Sequence, residues 1–158
     1  MKEKLRLFID NNLKEFTKLE KRSYSVPRFA FANLLIDEVD DYINENKEDN
    51  KFQKLLFELI DERNLKDSDV YNKVNIDRRL FSKIRSDVDY HPTKETVIKL
   101  GLSLELDESK MEELLGSASY YMPKNNVFDL IIRFCLIEKI YDINKVNELL
   151  FDYGCNLL

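Results

Sequence analysis

Four cationic side chains and one hydroxyl are concentrated in the eight residues Arg78–Arg85, which read RRLFSKIR. At about 100° per residue on a helical wheel, Leu80, Phe81 and Ile84 fall within an arc of about 100°. The remaining arc carries the polar residues Arg78, Arg79, Ser82, Lys83 and Arg85. The pattern therefore predicts a helix with one buried side and one strongly basic side. A helix of this length is about 12 Å long, close to the width of the DNA major groove.

The residues before this stretch predict a short helix and a corner that position the basic helix. Asp67 or Ser68 can cap the short helix. Its apolar side is formed by Val70, Tyr71 and Val74. Asn75 lies at the corner, and asparagine is among the few residues that tolerate the positive φ that a corner needs. Asp77 can then cap the basic helix by accepting hydrogen bonds from its free amides.

Helical patterns continue on both sides, which predicts an all-α fold. Only three glycines and three prolines occur in 158 residues, so few tight turns are expected. One amphipathic helix runs from Phe52 to near Arg63. Two more are expected after Thr93 and Asp107, and the second of them should end at Gly116. With the short helix and the basic helix, these make a compact five-helix unit.

Two further helices are predicted at the C-terminal end. The run Val127–Ile140 is apolar nearly all round, so it is either the central core helix or a buried partner surface. The last helix should begin after Asp142 and end at Gly154. Its expected buried side chains are Ile143, Val146, Leu149, Leu150 and Phe151.

Residues 1–50 are predicted to form an N-terminal helical extension, separate from a domain over residues 51–158. Residues 2–20 and a second run that opens at Arg28 both have helical apolar spacing, which indicates a helical pair. The polar run NENKEDNK, residues 44–51, has no core residue and is interpreted as the connector. The net charge is −5, yet residues 51–100 sum to +2, a segregation that would allow a basic face on an acidic body.

Composition argues against a membrane protein and against an enzyme. No stretch approaches the roughly 18 apolar residues of a membrane span, and the first residues lack the apolar block of a signal peptide, so a cytoplasmic protein is expected. Cys135 and Cys155 are interpreted as two reduced thiols. With one histidine and no glycine-rich loop, neither a catalytic pair nor a cofactor is expected. Asp87, Asp89 and His91 alternate as metal ligands can, but a capping loop is the favoured interpretation because no further Cys or His completes a set.

The order of helices and caps from Phe52 to about Leu115 resembles the five-helix DNA-binding domain of the XRE (Cro/CI-like) helix-turn-helix family. The resemblance rests on the corner at Asn75, the apolar trio of the basic helix, and an Asp-rich loop that leads to Pro92 and Thr93. Residues 52–158 also resemble a helical module appended to some bacterial macro-domain proteins. The helix-turn-helix resemblance implies a non-enzymatic regulator of bacterial or phage type that binds double-stranded DNA.

This resemblance also implies which side chains would contact DNA. The helix that begins at Arg78 would lie in the major groove, with Arg78, Arg79 and Ser82 facing base edges. Lys83, Arg85 and Lys94 would lie nearer the phosphates. Ser68 could also donate to a phosphate. A homodimer is expected, because one short helix reads too few base pairs to be selective.

A second interpretation belongs to a different class. The same scaffold could be a protein-interaction module, such as a phage or host-defence adaptor or inhibitor that does not read DNA. Three features favour it: Asp67 stands where the family usually has a glutamine, Tyr71 stands where it has a small alanine, and the loop at 87–89 adds two acids. A merely solvated basic helix is the plainest alternative to both.

Overall fold

The computed structural model describes residues 28–46 and 50–158, and every regular element within them is a helix. The helices are α1 (Arg28–Asn46), α2 (Lys51–Glu62), α3 (Asp67–Lys73), α4 (Arg78–Ser86), α5 (Lys94–Ser103), α6 (Glu108–Ser117), α7 (Val127–Ile137) and α8 (Ile143–Asp152). The all-α prediction is thus confirmed. The helix predicted over residues 2–20 lies outside the described residues, as do residues 47–49 of the predicted connector.

The chain divides into two compact units, residues 1–47 and 48–158. The sequence-based division lay close by, after residue 50. In the first unit, α1 is a 19-residue helix whose apolar side chains are exposed where they are described. These side chains are Leu35, Ile36, Val39, Tyr42 and Ile43.

In the second unit, α2–α8 surround one apolar core. Helix α6 packs against α2, α5 and α7, while α3 packs against α4 and α5, and α8 packs against α7. Twelve large side chains in this core are almost fully buried: Leu56, Ile60, Phe81, Ile84, Ile98, Leu100, Leu102, Leu106, Met111, Leu114, Leu115 and Ile132. Because these side chains come from α2, from α4–α7 and from the loop between α5 and α6, the unit holds its helices together by shared burial of apolar surface.

Side-chain caps begin most of these helices. Oxygens of Asn50, Asp77, Thr93, Asp107, Asn126 and Asp142 each accept an amide hydrogen bond from the first turn of the helix that follows. The caps predicted at Asp77, Thr93, Asp107 and Asp142 are therefore confirmed.

The cap predicted for α3 is wrong. Neither Asp67 nor Ser68 caps this helix, because the cap position is Lys66 and Asp67 is already the first helical residue. Asp69 instead accepts a hydrogen bond from the Lys66 amide at 3.2 Å, which fixes the start of the helix one residue earlier.

Six helices end in one repeated motif, in which a residue with positive φ precedes a backbone N–H that bonds the carbonyl five residues before it. The positive-φ residues are Asn64, Asn75, Glu105, Ser119, Lys139 and Gly154, with φ between 52° and 68°. The N···O distances of the closing bonds are 2.7 to 3.2 Å. This is the Schellman arrangement, which usually has glycine at the positive-φ position.

The helix end predicted at Gly116 is wrong for the same reason. Helix α6 continues through Ser117, and the turn is made at Ser119, where Tyr120 donates its amide to Leu115 O at 2.8 Å. The corner predicted at Asn75 is confirmed, with φ 54°.

Helix α7 is shorter and more two-sided than its sequence predicts. It ends at Ile137, with Ile131, Ile132, Cys135 and Leu136 facing inward. Its other side is exposed along its whole length, so it is not a helix buried all round. Phe151 of α8, predicted to be buried, is 73% exposed.

Two ionic contacts attach α7 to the rest of the unit. The Asp129 carboxylate, 1% exposed, lies 2.6 Å from the Lys94 ammonium of α5. Arg133 donates to Glu108 and Glu112 of α6, the latter at 2.6 Å, and to Met122 O at 2.6 Å. Burial lowers the pKa of Arg133, but the hydrogen bonds to Glu112 and Glu108 outweigh this and leave the pKa above its ordinary value.

Candidate nucleic-acid interface

The basic helix predicted from the sequence is α4, and it buries the apolar side that the pattern requires. Phe81 and Ile84 are each 2% exposed, and Leu80 is half-buried. The Asp77 carboxylate accepts a hydrogen bond from the Arg79 amide at 2.7 Å and so opens the helix. At helical spacing the polar residues form two adjacent faces, one with Arg78, Ser82 and Arg85 and one with Arg79 and Lys83.

The corner between α3 and α4 is held by backbone bonds and by aromatic packing. Ile76 donates its amide to Tyr71 O at 2.9 Å, closing the turn at Asn75. Tyr71, where the resemblance implies a small residue, packs its ring on Phe81 with centroids 5.5 Å apart. Ser103 of α5 donates its hydroxyl to Val70 O at 2.6 Å, which ties α3 to the core. The larger residue at position 71 is thus accommodated beside α4.

An open groove between α3 and α4 brings together four of the seven predicted DNA-contacting residues. Its volume is about 410 Å³, and its lining consists of Lys66, Asp67, Ser68, Tyr71, Arg78, Phe81, Ser82 and Arg85. Arg78, Ser68 and Ser82 therefore line one groove. These groups offer donors in the arrangement that phosphate oxygens or base edges accept.

Arg85 is not an unengaged cation. It donates from both Nε and Nη2 to the two carboxylate oxygens of Asp67, with Nε···Oδ2 at 2.7 Å. Its guanidinium also lies over the ring of Phe57, 4.0 Å from the centroid. Asp67, which would repel a phosphate if it were alone, is thereby neutralised, and Arg85 is the residue that neutralises it.

Arg79 and Lys83 lie on α4 outside this groove. Both are exposed, and the Lys83 ammonium is 4.9 Å from the centroid of the Tyr90 ring. Within residues 28–46 and 50–158, the guanidinium groups of Arg78 and Arg79 make no hydrogen bond or ion pair. These two guanidinium groups remain open to a ligand.

Lys94 does not join the other predicted site residues. It begins α5, and its ammonium is paired with Asp129, with only 22% of its side chain exposed. This role of Lys94 was not predicted, although the sequence held a signal for it: Asp129 and Arg133 are the only charged residues within Val127–Ile137.

Two residues that the sequence analysis did not single out hold the C-terminal end of α4. Gln53 of α2 donates its amide to Ile84 O at 3.0 Å and to Arg85 O at 2.6 Å, carbonyls that the helix itself leaves unpaired. Asn50 donates to Val88 O at 2.9 Å in the loop that follows. No local pattern marks Gln53, because its partners lie more than 30 positions away.

The carboxylates around α4 are used within the structure. Asp87, at the end of α4, accepts the Asp89 amide at 3.0 Å, as expected of a capping loop. Asp67, Asp69 and Asp77 are engaged as described above. Among the described residues no group of three or more His, Cys, Asp or Glu side chains is placed to hold a metal ion.

Comparison of the chain with protein-family models, curated proteins and solved structures finds no match. No helix in the described part of the chain combines the length and the apolar character needed to cross a membrane.

Proposed function

We propose that this protein is a non-enzymatic regulator that binds double-stranded DNA through α3 and α4. The observation that carries the proposal is the groove in which Arg78, Ser82 and Ser68 come together beside the unengaged Arg79. This surface is formed by a short helix packed against a capped basic helix, with a positive-φ corner between them. Its geometry suits the insertion of α4 into a major groove.

Each side chain has a distinct part in this proposal. Arg78 and Arg79 would donate paired hydrogen bonds to guanine edges, since arginine presents two N–H groups in the spacing of guanine O6 and N7. Ser82 would contact a neighbouring base edge, and Ser68 and Lys83 would donate to phosphates. Arg85 contributes by cancelling Asp67, which lowers the repulsion that a phosphate would meet at the groove.

The acidic residues around α4 oppose DNA binding less than their number suggests. Six cations and five carboxylates lie between Lys66 and Asp89. Asp69 and Asp77 accept hydrogen bonds from amides at the starts of α3 and α4, so these charges support the helices themselves. The exposed cations of α4 point away from the core, as a phosphate-binding face requires. Under this proposal the protein acts in the cytoplasm, where the free thiols of Cys135 and Cys155 remain reduced.

A second candidate function is a protein-interaction module on the same scaffold. The pairing of Arg85 with Asp67 favours it, because Arg78, Arg79 and Lys83 are then the exposed cations of α4 that have no carboxylate partner in the described residues. A surface of this kind would fit an acidic partner protein. The two functions differ in their dependence on duplex DNA.

The decisive experiment is binding of the Arg78→Ala/Arg79→Ala variant to labelled duplex DNA, measured by fluorescence anisotropy at about 50 mM salt. Random-sequence duplex is used first, followed by duplex selected with the wild-type chain. Loss of two guanidinium contacts should weaken binding to the selected duplex about 100-fold, at about 1.4 kcal/mol for each contact.

The matched control is Lys139→Ala/Lys145→Ala, which removes the same charge from exposed positions outside α3 and α4. It should change the affinity by less than about threefold, as expected for surface charge outside the proposed contact face. Circular dichroism should show that both variants remain folded. Equal affinity of the wild-type chain and the Arg78→Ala/Arg79→Ala variant would overturn the proposal, and so would an absence of duplex binding by the wild-type chain at low salt.

A further inference from the structure

Helix α7 carries a line of four exposed apolar side chains on the side opposite its buried apolar residues. Val127, Leu130, Phe134 and Ile137 are 52%, 44%, 52% and 62% exposed. They recur at spacings of three, four and three residues, which places them on one face of the helix. Large apolar side chains at this spacing are the pattern by which one helix packs on another. We call these four residues the α7 stripe.

We propose that the α7 stripe pairs with the α7 stripe of a second copy of this chain, with the two helices antiparallel. Its spacing is the same in either direction, as a two-fold symmetric contact between identical helices requires. In the antiparallel arrangement Val127 of one copy lies opposite Ile137 of the other, and Leu130 lies opposite Phe134. In each of these pairs a smaller side chain, Val127 or Leu130, packs against a larger one.

The pair of opposite charges formed by Lys124 and Glu138, together with the helix dipoles, favours antiparallel pairing. Lys124 precedes the helix and Glu138 follows it, and both are exposed. Antiparallel helices bring Lys124 of each copy to the end where Glu138 of the other lies, and they also oppose the two helix dipoles favourably. Parallel helices would place Glu138 beside Glu138, which is unfavourable.

The charged residues within α7 do not oppose this pairing. Asp129 and Arg133 face the interior, where Lys94, Glu108 and Glu112 pair with them. Two copies can therefore meet at the α7 stripe without removing a charge of this helix from water, which would be costly. Four side chains from each copy make a small interface, so the expected dissociation constant is about 1 to 100 µM.

This pairing does not depend on DNA binding, because it uses α7 and not α4. Sedimentation equilibrium of the full chain over a concentration series tests it without DNA. The average mass should rise from 18.9 kDa toward twice that value. A Phe134→Glu substitution places a charge at the centre of the contact and should raise the dissociation constant at least about tenfold.

The matched control is Phe151→Glu, which makes the same change at an exposed phenylalanine of α8. It should leave the dissociation constant within about twofold of wild type, and both variants should retain the circular dichroism spectrum of the parent chain. A wild-type chain that stays monomeric at about 100 µM would overturn the proposal. Equal effects of the two substitutions would overturn it as well, because the contact would then not be centred on α7.

The direction of pairing has its own test in a charge exchange. Lys124→Glu and Glu138→Lys should each weaken dimerisation about twofold to fivefold, and the double variant should restore it. A double variant weaker than either single variant would exclude the antiparallel arrangement.

Discussion

At the scale of single residues, the pairing of Asp67 with Arg85 is the feature that most affects the proposed interface. Both side chains are partly exposed, with 36% and 47% of their surface accessible, so their pairing contributes about 0 to 1 kcal/mol to folding. Its larger effect is on the ligand surface, since it holds one carboxylate and one cation in mutual contact at the edge of the groove.

An Asp67→Ser variant should bind DNA more tightly than the wild-type chain. The substitution removes a carboxylate that faces the groove and releases Arg85 to reach a phosphate. The affinity for random-sequence duplex should rise about tenfold, and the plot of log affinity against log salt should steepen by about 1. Both quantities come from anisotropy titrations at several salt concentrations.

Asp69→Ser is the matched control, because it removes a neighbouring carboxylate that accepts the Lys66 amide at the start of α3 and does not line the groove. Asp69→Ser should raise the affinity for random-sequence duplex less than Asp67→Ser does. If Asp67→Ser weakened binding, Asp67 itself would have to contact the ligand, contrary to the role proposed for it.

The positive-φ residues at helix ends hold strain that a single substitution can relieve. Ser119 has φ 63°, a conformation that costs about 1 to 2 kcal/mol in any residue with a Cβ. Ser119→Gly should therefore raise the free energy of unfolding by about 0.5 to 1 kcal/mol, measured by urea denaturation.

The opposite result is expected inside a helix. Ser109 is exposed within α6, and Ser109→Gly should lower the free energy of unfolding by about 0.5 kcal/mol. Two identical substitutions ten residues apart should thus change stability with opposite signs. A destabilising Ser119→Gly would contradict the strain argument.

At the scale of elements, α7 is attached to its unit by ion pairs as well as by apolar packing. Asp129 is almost completely buried and depends on Lys94 for its only close cation among the described residues. Removal of one member of such a pair leaves a buried charge without compensation, whereas replacement of both members avoids that penalty.

Lys94→Met should therefore lower the free energy of unfolding by about 3 kcal/mol, and Lys94→Met/Asp129→Leu should lower it by less. Urea denaturation of the two variants and of Asp129→Leu alone measures the coupling between the side chains. DNA affinity of the folded Lys94→Met variant should stay within about twofold of wild type. A clear fall in affinity with unchanged stability would instead support the phosphate contact that the sequence analysis assigned to Lys94.

Features that depend on residues close together in the chain could be predicted from the sequence. The apolar trio and the Asp77 cap predicted α4, since its periodicity and its capping chemistry lie within a few residues. The corner at Asn75 was predictable because asparagine often takes positive φ. Glu105, Ser119 and Lys139 have no such preference, so the same helix end went unpredicted there and was expected at Gly116 instead.

Contacts between distant residues account for the other differences. The environment of Lys94 is set by Asp129, 35 positions later, and that of Arg85 by Asp67 and Phe57 on two other helices. Helical spacing shows where the apolar residues of α7 lie, but not which of them a neighbouring helix covers. Both of its sides are apolar, and only packing distinguishes the buried one.

At the scale of the whole molecule, the basic surface of α4 belongs to a chain whose net charge is −5. Under the proposed function, an acidic body repels a duplex in most orientations and α4 attracts it, so productive encounters are restricted to one face. High salt screens both effects, which makes the orientation preference strongest at low ionic strength.

Because Gln53 of α2 completes the hydrogen bonding at the end of α4, the surface of α4 forms only when both helices are folded. A nine-residue helix is too short to be stable by itself in water, and the last carbonyls of α4 are paired by a residue that lies 31 positions earlier in the chain. Loop-closure entropy therefore opposes completion of α4 until α2 has docked. The proposed ligand surface is accordingly absent from any partly folded state in which the first turn of α2 is not packed against the end of α4.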